Sequence, residues 1–350
     1  MEKKDKRYLK AGAAFLGAAA LLKISAKYMP GFATWYAHSV YKAIVGIVGK
    51  VFDIFPFSVV EIGLYGLILA AVLYIKWNFR KSEAVLCRGV FLTGTLLFLY
   101  MSNCGVNYHA MAFSRYAGLE PGKYTVEELT ELCRYLTEQV NACRPDEGET
   151  AAFSYEKNRR AWRQAAVEAM KAAGAEFPAL GGYCPKPKEV VVSQILSVQQ
   201  LCGVYSPFTV EANYNGDMPD YNVPHTMCHE LSHLKGFMRE DEANFIGYLA
   251  CILSEDPAFR YSGYLTGWVY AGNALASADM EAYLELSGKL CERARQDLAD
   301  NNAFWNQYEG KVAEAAAQWN DAYLKMNDQK DGVRSYGRMV DLMLAYESSQ

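Results

Sequence analysis

Apolar residues run in three long blocks through the first hundred positions and thereafter recur singly at helical spacing. The blocks are Tyr8 to Ile24 (YLKAGAAFLGAAALLKI), Ser58 to Ile75 (SVVEIGLYGLILAAVLYI), and Val90 to Met101 (VFLTGTLLFLYM) extended back toward Ala84. Each predicts a membrane-spanning helix, the first with lysines near both ends whose stems reach toward the headgroups. A basic start, MEKKDKR, followed by an apolar run also fits a signal peptide, but two further apolar runs come after it. The third block is short, so a buried core helix is its alternative reading. Between the first two, GFATWYAHSVYKAIVGIVGKVF mixes aromatics, glycines and spaced lysines as an interfacial helix does, or a re-entrant or lumenal segment.

Beyond the third block the pattern changes. YTVEELTELCRYLTEQVNAC predicts a helix entered through a capping box of Thr125 and Glu128. SYEKNRRAWRQAAVEAMKAAG predicts a second helix, stopping at Gly174. FPALGGYCPKPK reads as a loop, and the β-branched and aromatic residues of EVVVSQIL and CGVYSPFTVEANYN predict a few strands. Helical spacing returns at Pro224, and MEAYLELSGKLCERARQDLA and KVAEAAAQWNDAYLKM read as shell helices. The expected fold class is α+β and mainly helical. Residues 1–104 form a membrane region of about three transmembrane helices, and residues 105–350 form a second domain with a small β-sheet ahead of the Pro224 helix.

Charge sets the expected orientation. Lys3, Lys4, Lys6 and Arg7 precede the first span, and Lys76, Arg80, Lys81 and Arg88 lie between the second and third. Both groups belong in the cytoplasm by the positive-inside rule, although Lys42 and Lys50 lie on the outer loop. The protein is therefore expected to be integral and multi-pass, in contact with membrane lipid, with everything after about Ser102 outside the cytoplasm. A formal net charge of −4 leaves no footprint for nucleic acid. The nine cysteines contain no CxxC pair; Cys133 and Cys143 are candidates for a disulfide, and Cys228 and Cys251 fit helical positions as small buried residues.

Three of the chain's five histidines fall within the stretch PHTMCHELSHLKGFMREDEANFIGYLAC. His229, Glu230 and His233 form H-E-x-x-H, and on a helix two histidines four residues apart share a face with the glutamate beside them. Two imidazoles then take one zinc ion, and the carboxylate serves as general base. Pro224 near the start and Gly236 at the end bound that helix. A second helix restarts in REDEANFIGYLAC, with Phe245, Leu249 and Ile252 as its inward stripe.

Two carboxylates compete to be the third ligand. Glu240, with Asn244 and Gly247 following, resembles the second zinc helix of thermolysin-like gluzincins, which implies that Glu240 binds metal and Asn244 orients a ligand histidine. Glu242 aligns with the apolar stripe, where an inward carboxylate needs a partner and a metal would supply one. Glu240 is favoured, with Glu242 kept open. The six residues between His233 and Glu240 are far fewer than in gluzincins. HELSHLKG resembles instead the H-E-x-x-H-x-x-G turn of metzincins, which would put the third ligand at Arg239, a residue that cannot bind a cation.

Over most of its length after the membrane part, the chain resembles an uncharacterised bacterial family of membrane-anchored proteins, the domain of unknown function DUF3810, with zincin-type features. The stretches that carry the likeness are GVYSPFTVEANYN, the histidine-rich segment, RYSGYL and DGVRSYG. The resemblance implies a zincin-like hydrolase domain in a bacterial cell membrane and brings no substrate with it.

The expected activity is a membrane-anchored zinc metallopeptidase with one zinc per chain, hydrolysing peptide or protein substrates, with Glu230 taking a proton from the attacking water. Amide hydrolysis on cell-wall peptides is a variant of it. Tyr264, Tyr336 and His225 are candidates to stabilise the oxyanion. YSPFTVEANYN could pair as an edge strand with an extended peptide, or be structural, with Glu211 and Asn213 tying down the turn at Gly216. The alternative function is a catalytically inactive zinc-binding sensor or scaffold, against which the presence of Glu230 argues.

Overall fold

The computed structural model describes residues 2–144, 151–329 and 338–349. It is 74% helix and 3% strand, so the sheet of the expected α+β architecture is reduced to three short strands. The chain divides into two compact units, Met1–Met111 with Ser206–Glu211, and Ala112–Tyr205 with Ala212–Gln350. The boundary falls close to the expected one, but a hairpin tip from the middle of the chain joins the first unit.

In the first unit each apolar block forms one helix: α1 (Lys3–Tyr28), α2 (Val59–Asn78) and α3 (Ser82–Tyr100). Three helices are long and apolar enough to cross a membrane, which makes this a membrane protein. Without a hydrophobic drive between helices in lipid, close packing needs small residues at the contact. α1 and α3 meet at Gly12 and Gly94, where a Cβ on Gly94 would lie 2.5 Å from the Gly12 carbonyl oxygen. Phe15 packs against Phe91 and Phe98 beside that crossing. The expected interfacial segment is helical between Phe32 and Asp53, with wide π-turns at Ala37–Tyr41 and Val45–Gly49. Glu211 caps α2: its carboxylate accepts the N–H groups of Val59 at 3.2 Å and Val60 at 2.9 Å. A carboxylate there satisfies donors that the first turn leaves unpaired and complements the helix dipole.

The second unit contains α4 (Val126–Cys143), α5 (Tyr155–Glu176), α6 (Asn222–Leu234), α7 (Glu240–Ile252) and α8 (Pro257–Ala278). Four further helices follow, α9 (Met280–Gly288), α10 (Glu292–Asn306), α11 (Lys311–Met326) and α12 (Met339–Glu347). The capping box forms as expected: Thr125 Oγ1 accepts the Glu128 N–H at 3.2 Å, and the Glu128 carboxylate accepts the Thr125 N–H at 2.8 Å. α5 runs two residues beyond the expected stop at Gly174. All nine cysteines are free thiols, Cys133 and Cys143 included.

β1 (Lys188–Glu189) takes only Glu189 from EVVVSQIL, which then turns into the short helix Gln194–Ser197, so the strand expected there is mostly absent. β2 (Gly203–Ser206) and β3 (Glu211–Tyr214) complete a sheet of order β1-β3-β2. β1 runs parallel to β3, with Lys188 opposite Asn213 and Glu189 opposite Tyr214. Four residues join β2 to β3, a connection short enough only for antiparallel neighbours. The turn at Gly216 is held by Ser193, whose hydroxyl accepts the Gly216 N–H at 2.9 Å, because Glu211 is committed to α2.

The core of the second unit is built on α6, α7 and α8. Beside them an aromatic cluster sets Phe113 against Phe177, Phe237 and Phe245 at 5.3–6.1 Å between ring centres, with Tyr346 of α12 against Phe245. Phe245 and Leu249 are fully buried, as the helical stripe requires, and Ile252 is half-buried.

A leucine at position 94 cannot fit against the Gly12 backbone. Gly94→Leu is expected to lower stability by about 1–3 kcal/mol, the usual cost of overpacking, read as an earlier thermal unfolding midpoint in detergent. An unchanged midpoint would show that α1 and α3 do not touch there.

Candidate metal centre

α6 ends in a turn that does two jobs. Gly236 takes a positive φ of 101°, its N–H bonds to the His233 carbonyl at 2.9 Å, and the Phe237 N–H reaches the Ser232 carbonyl at 3.2 Å. This is the Schellman pattern, in which a glycine terminates a helix and reverses the chain. The reversal presents the Phe237 carbonyl to His233, whose Nδ1 donates to it at 2.9 Å. With Nδ1 carrying the proton, the Nε2 lone pair is free to bind a cation.

The same reversal starts α7 with six residues between it and His233, and the first residue of that helix is Glu240. Its carboxylate lies 3.4 Å from His229 Nε2 and 3.7 Å from His233 Nε2, and the two imidazole nitrogens are 3.1 Å apart. Ligands at zinc bond lengths of about 2.0–2.2 Å on the corners of a tetrahedron lie about 3.3 Å apart. The two ring nitrogens are near that spacing, Glu240 turns Oε2 toward His229 and Oε1 toward His233, and one ligand atom from each residue lies within 4.8 Å of the others; nitrogen and oxygen donors of this kind suit zinc. His229, His233 and Glu240 are thus the residues that could hold a metal here.

α6 and α7 approach closely at Gly247, where a Cβ would sit 3.1 Å from His225 Nε2 and 3.2 Å from the His229 N–H nitrogen. One turn earlier on α7, the Asn244 side chain hydrogen-bonds the His229 ring, as the likeness to the gluzincin helix implied. The Asn244 backbone carbonyl is 3.1 Å from His225 Nε2, and the His225 N–H donates to Ser262 of α8 at 3.0 Å. His225 therefore ties the three helices together, with its Nε2 engaged by the Asn244 carbonyl.

Burial pushes His233 down to about 4 and, with the charge of His229, His225 down to about 3. Burial opposes a charge on His229 as well, but the Glu240 carboxylate, Glu230 and Asn244 outweigh it and raise that imidazole. Burial and the charge of Glu240 push Glu230 up to about 8, against the pull of His229. The Glu230 side chain is 5% exposed, its Oε1 is 4.0 Å from His229 Nε2, and its Oε2 has no hydrogen-bond partner among the described residues. β2 presses against it: a Cβ on Gly203 would lie 2.5 Å from Glu230 Oε1.

Glu242 is not part of the cluster. It points inward as its place on the stripe requires, but its partner is the Phe113 N–H at 2.9 Å, supported by Arg239 at 3.3 Å. Burial raises it to about 7. Tyr264 packs at 6.2 Å from the Tyr135 ring and hydrogen-bonds its hydroxyl. Tyr336 lies outside the described residues. Sequence reasoning passed over Gly203 and Tyr270. Tyr270, on α8, has its phenol raised by burial and by the charges of Cys202 and Glu240, which places it within electrostatic reach of the ligand carboxylate. No signal in the chain singles out this one of 25 tyrosines.

The family described as "Protein of unknown function (DUF3810)" matches residues 36–344. The chain belongs to that family. No curated protein and no solved structure matches it.

Elemental analysis of protein purified in detergent and loaded with zinc separates the two glutamates. His233→Ala and Glu240→Ala are expected to lose the metal. Glu242→Ala should retain it and lose about 1–3 kcal/mol of stability, because the buried Phe113 N–H is left without an acceptor. Loss of zinc in Glu242→Ala with retention in Glu240→Ala would reverse the assignment.

Proposed function

We propose that this protein is a membrane-anchored zinc metallopeptidase that hydrolyses peptide bonds. The observation that carries the reading is the convergence of His229, His233 and Glu240, with one ligand atom from each within 4.8 Å of the others, beside the buried carboxylate of Glu230, whose Oε2 has no hydrogen-bond partner among the described residues. A structural zinc site fills its fourth position with protein and has no use for a base. Here three side chains converge, and the neighbouring carboxylate makes no structural hydrogen bond through Oε2.

A zinc ion bound by the three side chains would act as a Lewis acid and bring the pKa of a coordinated water down to about 7. The chain's own residues do the rest. Glu230, held out of solvent with a raised pKa, is suited to take a proton from the attacking water and return it to the departing amine. Asn244 and the Phe237 carbonyl fix the two imidazoles through hydrogen bonds. Tyr270 joins Tyr264 and His225 as a candidate donor to the developing oxyanion. β2 is an edge strand with Val204 exposed, and Gly203 brings it to Glu230, so an extended peptide paired along it would pass the base. The distribution of Lys and Arg around the three spans favours a site outside the cytoplasm of a bacterial cell membrane.

The test is Glu230→Gln in zinc-loaded protein reconstituted into proteoliposomes and assayed against a fluorogenic peptide library. Wild-type protein is expected to cleave members of the library. The variant should retain its zinc while turnover falls about 10²–10⁴-fold, the usual contribution of a general base. Zinc bound with no cleavage by wild type, or equal cleavage by both proteins, would count against the reading; the first result leaves a non-catalytic sensor or scaffold.

A further inference from the structure

Away from the metal ligands, a cavity of about 70 Å³ opens where the end of α4 and the starts of α6 and α8 meet α5 and α10. Its lining includes Arg144, Asp220 and Asp297 among the rings of Phe153, Trp162 and Tyr261. Arg144 Cζ lies 4.1 Å from the centre of the Phe153 ring and 5.4 Å from that of Tyr261, contacts that orient the guanidinium plane. Two of its nitrogens, Nε and Nη1, are shut off from solvent and have no hydrogen-bond partner among the described residues.

The nearby carboxylates meet this need only in part. Asp297 Oδ2 forms a long ion pair with Arg144 Nε at 3.6 Å and already accepts the Tyr261 hydroxyl at 2.6 Å. Asp220 accepts the Tyr155 N–H at 3.1 Å. Burial raises both aspartates, and the charge of Asp297 adds to the shift at Asp220. The cavity thus holds a guanidinium with idle donors beside two carboxylates that one cation does not neutralise. A simple anion would meet the repulsion of both aspartates, and a simple cation that of Arg144.

We propose that the cavity binds a small zwitterionic α-amino acid, its carboxylate on Arg144 and its ammonium against Asp220 and Asp297. Planar carboxylates pair with a guanidinium through parallel hydrogen bonds, and the aromatic walls favour an ammonium beside them. Asp220 is exposed while Nε and Nη1 of Arg144 are not, so the ligand enters carboxylate first. A cavity of about 150 Å³ accepts benzene; one of half that volume limits the ligand to the size of glycine or alanine. The site stands independently of the metal centre.

The test is isothermal titration calorimetry on the full-length protein in detergent with glycine, alanine, acetate and methylammonium. Glycine and alanine are expected to bind saturably, with acetate and methylammonium at least tenfold weaker. Arg144→Gln and Asp220→Asn should each weaken glycine binding at least tenfold. Asp220→Asn keeps an oxygen for the Tyr155 N–H at an exposed position, so it serves even if Arg144→Gln fails to fold. Absence of saturable binding of glycine and alanine to wild type would mean that the cavity holds water alone and would overturn the proposal. Acetate binding as tightly as glycine, unaffected by Asp220→Asn, would also overturn it.

Discussion

Two imidazoles and two carboxylates are held out of water within a few ångströms of one another, and the surrounding structure is arranged around that cluster of electron pairs. Burial disfavours a charge on each imidazole and lowers His233 and His225, whereas at His229 the hydrogen bond and charge of Glu240, with Glu230 and Asn244, outweigh burial and raise it. The donor set, one ligand atom from each of His229, His233 and Glu240 within 4.8 Å of the others, is one that could hold a divalent ion.

What keeps the groups together is backbone geometry more than side-chain packing. The Schellman turn at Gly236 supplies the hydrogen bond that fixes the His233 tautomer and the reversal that returns Glu240 to the histidine face. Close approach at Gly247 lets Asn244 reach His229, and Gly203 lets β2 lie against Glu230. Phe237 and Phe245 then anchor the turn and α7 in the aromatic core around Phe113. The amide of Phe113 itself receives Glu242, so one segment fixes both ends of the start of α7.

Much of this was legible in the chain. The three membrane helices, the capping box of α4, the bounds of α6 and the pairing of His229 with His233 all follow from local patterns that tertiary contacts reinforce. The choice between Glu240 and Glu242 was harder, because periodicity places Glu242 inward and only the backbone of a segment 129 residues away accounts for it. His225 had the right spacing for the metal face, but a neighbouring helix claims its ring. EVVVSQIL has strand-forming residues, yet of these only Glu189 lies in a strand, beside Lys188, and the segment turns helical from Gln194. Tyr270 and Gly203 carry no local mark, since their roles come from elements that meet only in the folded chain.

The central claim is that His229, His233 and Glu240 form one metal site. Zinc-edge X-ray absorption on the zinc-loaded protein tests it most directly, because ligand type and bond length are read together. The account predicts nitrogen and oxygen neighbours at about 2.0–2.2 Å, with the signature of two imidazoles. A sulfur neighbour at about 2.3 Å would contradict it, pointing instead to a thiol such as the exposed Cys202, which lies within electrostatic reach of Glu230.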